Sequence, residues 1–186
     1  DSIREAVTAL IGNFDGNAGN DLLVGSGGAD FFGQAEPLGN RYYQHNAGSF
    51  RGTDLPGDPA NTSVVKAFDY DGDGELDIYL PNRCWLPEVN HNRGRKYRDK
   101  LTNHLYRNDG AGKFTDISQA AGILDVSDPG SSAPAGKALG VAPVDYDRDG
   151  WMDLFIANDT TRNFLYHNLG NGKFEEIGAL EGIAFD

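Results

Sequence analysis

One pattern appears in VVKAFDYDGDGELDIYL (residues 64–80) and again in LGVAPVDYDRDGWMDLFI (139–156), and it predicts the fold of this chain. In both, an acidic segment lies between two runs rich in β-branched and aromatic residues, which predicts two strands joined by an acidic loop. A less regular copy, ALIGNFDGNAGNDLLV (9–24), precedes them. The chain therefore contains three copies of one repeating unit.

A glycine-rich hairpin completes each copy. The three hairpins are RYYQHNAGSF (41–50), NHLYRNDGAGKF (103–114) and NFLYHNLGNGKF (163–174). Asn and Gly tolerate positive φ, so their clusters predict tight turns between strands. Each unit then contains a strand, an acidic loop, a strand, a variable insert, a strand, a turn and a strand. We expect Phe50, Phe114 and Phe174, which follow the turns, to anchor the core between units.

These units predict an all-β fold made of β-propeller blades, because a small antiparallel sheet must stack on neighbours to bury both faces. We place repeat 1 at about 9–51, repeat 2 at about 63–117, repeat 3 at about 138–177 and the start of a further unit at 178–186. Three blades are too few for a ring, which needs about four. We therefore expect an incomplete ring, or one assembled with other chains, and exposed edges that favour a homo-oligomer or a filament.

The acidic loops DYDGDGELD (69–77) and DYDRDGWMD (145–153) share the pattern D-x-D-x-D-G-x-x-D. Calcium takes six to eight oxygen ligands, and alternate carboxylates in a tight turn can meet at one point. The ligands that we predict are side chains, plus the carbonyls of Glu75 and Trp151: Asp69, Asp71, Asp73, Glu75 and Asp77 in one loop, and Asp145, Asp147, Asp149, Trp151 and Asp153 in the other. An EF-hand is excluded, because it requires Glu at position 12 and flanking helices.

The first loop, NFDGNAGND (13–21), is a weaker version of the same site. Its predicted ligands are Asn13, Asp15, Asn17, Gly19 and Asp21. Two alternatives stay open. The acidic loops could be solvated turns without metal, although clustered carboxylates repel one another. The segment GNAGNDLLVGSGGADFF (16–32) could instead form glycine-rich turns of the calcium-binding β-roll type.

The overall charge of −12 and the sequence pI near 4.6 argue against nucleic acid and anionic membranes as partners. No apolar stretch approaches the roughly 18 residues that span a membrane. The insert NRCWLPEVNHNRGRKYRDK (82–100) is basic and is the predicted partner surface for an anionic glycan or a protein. Its candidate residues are Arg93, Arg95, Lys96, Arg98, Trp85 and Tyr97. The alternative is that this insert folds onto the chain's own acidic surface.

No motif for catalysis supports an enzyme, although a glycan-processing propeller is an alternative. The sequence has no Gly-x-Ser-x-Gly, Ser-x-x-Lys or phosphate-loop motif, and its aspartates are assigned to metal loops. His45, Arg107 and His167 each precede the turn Asn, which indicates a variable, exposed position. We therefore expect a binding or structural module.

The three units resemble FG-GAP or VCBS repeats of integrin-α-like β-propellers. Residues 103–123 and 136–186 are most similar to the cartilage acidic protein and UnbV-like branch. This resemblance implies a secreted or surface-exposed propeller, commonly seven-bladed, in which calcium loops brace the blades and other loops bind proteins or glycans. Independently, calcium sites of modest affinity fit the millimolar calcium outside cells, which favours an extracellular or periplasmic location.

Overall fold

Three four-stranded sheets make up the fold. The structure is a computed structural model that describes residues 6–27, 39–57, 62–81, 103–123, 137–159 and 161–185. Every sheet is an antiparallel meander in which each strand pairs with the next in the chain. The described part of the chain is therefore all-β, as predicted, and its sheets form no closed ring.

The strands repeat in length and order. Sheet 1 contains β1 (Ala6–Gly12), β2 (Asp21–Ser26), β3 (Arg41–Asn46) and β4 (Ser49–Asp54). Sheet 2 contains β5 (Lys66–Phe68), β6 (Asp77–Leu80), β7 (His104–Asn108) and β8 (Phe114–Asp116). Sheet 3 contains β9 (Ala138–Val144), β10 (Asp153–Asn158), β11 (Phe164–Asn168) and β12 (Phe174–Glu176). A one-turn helix, α1 (Ser118–Ala121), follows β8 and ends at Gly122, which has a left-handed conformation.

The sheets stack face to face in chain order, with sheet 2 in the middle. Alternate residues of a strand point to opposite faces, so Ile78 and Leu80 pack toward sheet 1 while Tyr79 packs toward sheet 3. Phe14, Leu23 and Tyr42 of sheet 1 complete the first core, and Leu154, Ile156 and Phe164 of sheet 3 contribute to the second. A four-stranded unit thus buries its apolar residues only with a neighbour.

Two expectations from the sequence are wrong. Phe114 and Phe174 pack into the cores between sheets, but Phe50 is 57% exposed, because no sheet among the described residues covers its side of sheet 1. The β-roll alternative also fails over residues 16–27, because β2 pairs antiparallel with both β1 and β3. A β-roll would require parallel pairing between successive turns.

Among the described residues, no helix has the length and apolar character needed to cross a membrane.

Candidate metal centre

The last aspartate of each acidic loop is fully buried and joins two strands. Its carboxylate accepts hydrogen bonds from the backbone N–H of the second loop residue and from a backbone N–H on the third strand of the sheet. The donors are Phe14 and His45 to Asp21, Tyr70 and Asn108 to Asp77, and Tyr146 and Asn168 to Asp153, at 2.8–3.1 Å. The ninth loop position therefore anchors each loop to its sheet.

Three carboxylates converge in the loop of sheet 2. One oxygen from each of Asp69, Asp71 and Asp77 lies within 4.8 Å of the others. Asp71 Oδ1 is buried and no hydrogen-bond donor within the described ranges reaches it. An unpartnered buried carboxylate oxygen costs free energy unless a cation compensates it. This oxygen is thus free to serve as a ligand.

Burial raises two carboxyl pKa values in this loop. Burial, together with the neighbouring charges of Asp73 and Asp69, raises the pKa of Asp71. Burial raises the pKa of Asp77 to about 7, although two backbone N–H groups favour its ionised form. Loss of solvation is the largest cause of both shifts, and Arg107 on β7 is a cation that interacts with Asp71.

Asp69 and Asp73 also organise the turn of this loop. Asp69 accepts hydrogen bonds from the N–H groups of Gly72 and Gly74, at 2.7 and 2.9 Å, and Asp73 accepts one from Glu75, at 2.8 Å. Gly72 and Gly74 both have positive φ, which allows this tight path. Asp73 is not part of the convergent group, and neither is the Glu75 side chain.

The loop of sheet 3 contains two overlapping groups. Asp145, Asp147 and Asp149 form one, and Asp147, Asp153 and His167 form the other. His167 Nδ1 lies 3.2 Å from Asp153 Oδ1 and 3.7 Å from Asp147 Oδ2. Each of the four predicted carboxylate ligands of this loop thus belongs to one of two groups that share Asp147, and the second group adds a histidine that the sequence analysis did not assign.

Trp151 connects the loops of sheets 2 and 3. Its backbone N–H donates to Asp149, and its ring lies against Gly72 of the preceding loop and Gly170 of its own hairpin. A Cβ on Gly170 would collide with the ring, at 2.6 Å, and one on Gly72 would lie in tight contact with it, at 3.1 Å. The acidic loops are thus in direct contact across the interface between sheets.

In the first loop, side-chain amides donate hydrogen bonds to the carboxylate of Asp15. Asn17 Nδ2 and Gln44 Nε2 each donate to Asp15 Oδ2, at 2.7 Å, while Asn13 Oδ1 accepts from Gly16. Asn17 Oδ1 accepts from the Gly19 N–H at 2.6 Å. Asp21 also accepts a hydrogen bond from the Tyr42 hydroxyl. The side-chain oxygens that were predicted as ligands, those of Asn13, Asp15, Asn17 and Asp21, thus already have donors.

The alignment of the third strand of sheet 1 with the third strands of the other sheets differs from the alignment that the sequence predicted. The buried aspartate binds the N–H of His45, Asn108 or Asn168, so the residues just before them are equivalent: Gln44, Arg107 and His167. His45 was paired with Arg107 and His167 from the sequence. That pairing is wrong by one residue because β3 and β4 are joined by the two-residue turn Ala47–Gly48, shorter than the other two turns.

Two asparagines that the sequence analysis did not assign hold adjacent sheets together. Asn108 Nδ2 donates to the carbonyl of Phe14 in the loop of sheet 1, at 2.9 Å. Asn168 Nδ2 donates to the carbonyl of Tyr70 in the loop of sheet 2, at 2.8 Å. Both asparagines stand just before the turn of their hairpin, and this recurrence in the sequence could have identified them. We call this contact the asparagine clasp.

The basic insert lies outside the described residues, which resume at 103 after ending at 81. Trp85, Arg93, Arg95, Lys96, Tyr97 and Arg98 therefore remain predictions.

Comparison with known families agrees with the repeat architecture. The profile of FG-GAP-like repeats matches residues 92–156 and again residues 145–184, so the two matches together cover half of the chain. No curated protein matches the sequence. The matched region includes all of sheet 3, both strands of the hairpin of sheet 2 and the acidic loop 145–153. The chain therefore belongs to the FG-GAP-like repeat family.

Proposed function

We propose that this protein is a calcium-binding extracellular structural and interaction module, in which Ca²⁺ rigidifies the D-x-D-x-D-G-x-x-D loops between strands. The observation that carries this proposal is Asp71 Oδ1, which is buried and without a donor beside two further carboxylates. The donor set is all oxygen, which suits a hard cation such as calcium rather than zinc. In sheet 2 the ion would be held by Asp69, Asp71, Asp73 and Asp77, with the Glu75 carbonyl.

Charge balance supports the same assignment. Three carboxylates with oxygens within 4.8 Å of one another repel unless a cation lies between them. The raised pKa of Asp77, about 7, reflects what burial costs its ionised form. A divalent cation would remove that penalty, so binding and ionisation would favour each other.

The ion would stabilise the contact between sheets as well as the loop. Tyr70 is the second residue of the loop of sheet 2, and its carbonyl accepts the asparagine clasp from Asn168. An ion that orders this loop also orders the Tyr70 carbonyl, which accepts the hydrogen bond from Asn168. Calcium that binds the folded state preferentially raises stability by linkage, and we therefore assign it a structural role.

The loop of sheet 3 supports a second site, and the loop of sheet 1 a weaker one. Asp145, Asp147, Asp149 and Asp153 all belong to convergent groups, with the Trp151 carbonyl as a further predicted ligand. In the first loop, the amides of Asn17 and Gln44 already satisfy Asp15 and would have to be displaced. We expect two calcium ions at moderate concentration and a third at higher concentration.

FG-GAP-like repeats are typical of extracellular proteins, and millimolar calcium outside cells fits loop sites of modest affinity. We propose a secreted or cell-surface location, with the periplasm as the bacterial equivalent. Within the family we place the chain in the cartilage acidic protein and UnbV-like branch. The basic insert 82–100 would contact an anionic glycan or a protein, and we assign no catalytic activity.

Isothermal titration calorimetry with Ca²⁺, and with Mg²⁺ for selectivity, tests the proposal. Asp71→Asn should abolish one calcium-binding event and leave the chelator-treated protein as stable or more stable, because the amide removes an uncompensated charge. Asp159→Asn changes an exposed carboxylate outside the loops and should retain wild-type binding. No binding to the wild type, or unchanged stoichiometry in Asp71→Asn, would identify the loops as solvated turns.

A further inference from the structure

The residues on the outer faces of sheets 1 and 3 stand at the same repeat positions as the residues that form the interfaces between the sheets. Equivalent positions are defined by the buried loop aspartates and by the strand pairing. On the side toward the preceding sheet, the matching apolar residues are Leu22, Val24 and Tyr43 in sheet 1, Ile78, Leu80 and Tyr106 in sheet 2, and Leu154, Ile156 and Tyr166 in sheet 3. Those of sheets 2 and 3 are buried, whereas those of sheet 1 are only half-buried.

The opposite end shows the complementary difference. The second loop residue is buried in sheets 1 and 2, where Phe14 and Tyr70 contact the following sheet, but Tyr146 is 38% exposed. Ile123, after α1, is fully buried against sheet 3, whereas its equivalent Ile183 is 37% exposed. Sheet 3 therefore ends in a face built like the covered faces of sheets 1 and 2.

The internal interfaces indicate what such a face receives. Each takes a phenylalanine from the start of the fourth strand of the next sheet: Phe114 packs on Phe14, with ring centroids 6.3 Å apart, and Phe174 stacks on Tyr70, at 6.1 Å. Each also takes the asparagine clasp on the carbonyl of the same loop residue. The occupant of the sheet 3 face must therefore offer an aromatic ring and a nearby N–H donor.

Sheet 1 offers that pair on its uncovered side. Phe50 has the strand position of Phe114 and Phe174, because it pairs with His45 as they pair with Asn108 and Asn168. It is 57% exposed. His45 stands where the clasp asparagine stands and has a ring N–H that can donate. Both halves of an inter-sheet interface are thus present on one molecule, and the described residues leave both partly exposed.

We propose that the sheet 3 face, with Tyr146 and Ile183, binds the sheet 1 face, with Tyr43 and Phe50, of a second copy of this chain. The contact is head-to-tail: it joins two different surfaces, and every copy keeps one of each. It continues the stacking already present between sheets 1, 2 and 3. Such an interface closes into a ring or extends as a filament, according to the rotation between copies.

Single-face variants of the 186-residue chain test this arrangement by light scattering after size exclusion, with calcium present. The wild type should increase in mass with concentration. Phe50→Asp blocks the sheet 1 face, and Ile183→Asp blocks the sheet 3 face, so each alone should be a monomer. Mixed in equal amounts, they retain one intact pair of faces and should form a heterodimer of twice the monomer mass.

Leu169→Asp is the matched control, because it replaces an exposed apolar residue in a hairpin turn with the residue that sheet 2 has there, Asp109. It should assemble like the wild type. Far-ultraviolet circular dichroism verifies folding, and Tyr146→Ser replaces Ile183→Asp if that variant does not fold. A wild type that stays monomeric at high concentration overturns the proposal. Association of Phe50→Asp alone also overturns it, because the contact would then join two identical faces.

Discussion

The side-chain amide of Asn168 donates to the backbone carbonyl of Tyr70, 98 residues earlier in the chain, across the interface between sheets 2 and 3. The same amide donates to Met152 O, and its Oδ1 accepts from the Gly170 N–H. Asn168 is fully buried, so these groups have no access to water. One side chain therefore links the acidic loop of one sheet to the hairpin of the next.

Replacement of Asn168 by Ala should reduce the free energy of unfolding by about 2–4 kcal/mol, because it leaves buried carbonyls unpaired. Asn46→Ala is the control, since Asn46 also ends a third strand before a turn but is exposed. It should change stability by less than about 0.5 kcal/mol. Urea unfolding of both variants measures the difference, and equal losses would mean that the clasp contributes nothing beyond the turn.

Gly112 and Gly172 occupy the same turn position in sheets 2 and 3, with φ of +72° and +78°. A Cβ on Gly172 meets nothing within 4 Å, whereas one on Gly112 lies 2.8 Å from the buried ring of Tyr42. Gly172→Ala should cost only the strain of positive φ, about 1–2 kcal/mol.

Gly112→Ala should cost more than Gly172→Ala, because it also displaces Tyr42 and the hydrogen bond from Tyr42 to Asp21. Thermal unfolding of the two variants gives the comparison. Equal melting temperatures would show that the ring of Tyr42 adjusts without loss.

Asp116 should make stability depend on pH in the acid range. Burial alone would raise its pKa, but hydrogen bonds from His104 and Ser118 hold the pKa below the ordinary carboxyl value. A depressed folded-state pKa contributes stability above the unfolded value of about 3.9 and loses it as pH falls through the folded value.

Asp116→Asn should therefore be less stable than the wild type near neutral pH, by about 1–2 kcal/mol, with the difference disappearing in acid. Urea unfolding from roughly pH 2 to pH 7 measures this, in chelator so that calcium does not contribute. Asp159→Asn is the exposed control and should show no such trend. A difference that persists unchanged in acid would contradict the assignment.

The first loop should gain calcium affinity when its amides become carboxylates. Asn13→Asp with Asn17→Asp restores the first three aspartates of the pattern and removes the Asn17 donor from Asp15. Calorimetry should then show a third binding event at concentrations that fill the other loops. Without calcium the double variant should unfold more easily, because the added charges repel.

Asn46→Asp adds one carboxylate outside the loop and serves as its control. If the double variant binds no more calcium than this control, Ala18, in place of the usual glycine, prevents the loop from closing around an ion.

The repeat, the four-strand unit and the acidic loops could be predicted because each depends on short-range pattern. Strand alternation, turn glycines and the spacing of Asp69, Asp71 and Asp77 are all readable within a few residues. The strand register of sheet 1 could not be predicted in this way. His45, rather than the residue after it, lines up with Asn108, because the short turn after β3 shifts the pairing by one.

The repeat units and the acidic character of their loops thus follow from the sequence, since backbone geometry and side-chain type act locally. Which faces are covered depends on the tertiary structure. Phe50 and Phe174 have the same sequence context, yet one is exposed and the other buried. The asparagine clasps likewise join residues more than 90 positions apart. Burial and hydrogen bonding across sheets depend on which surface lies opposite, and no local pattern contains that information.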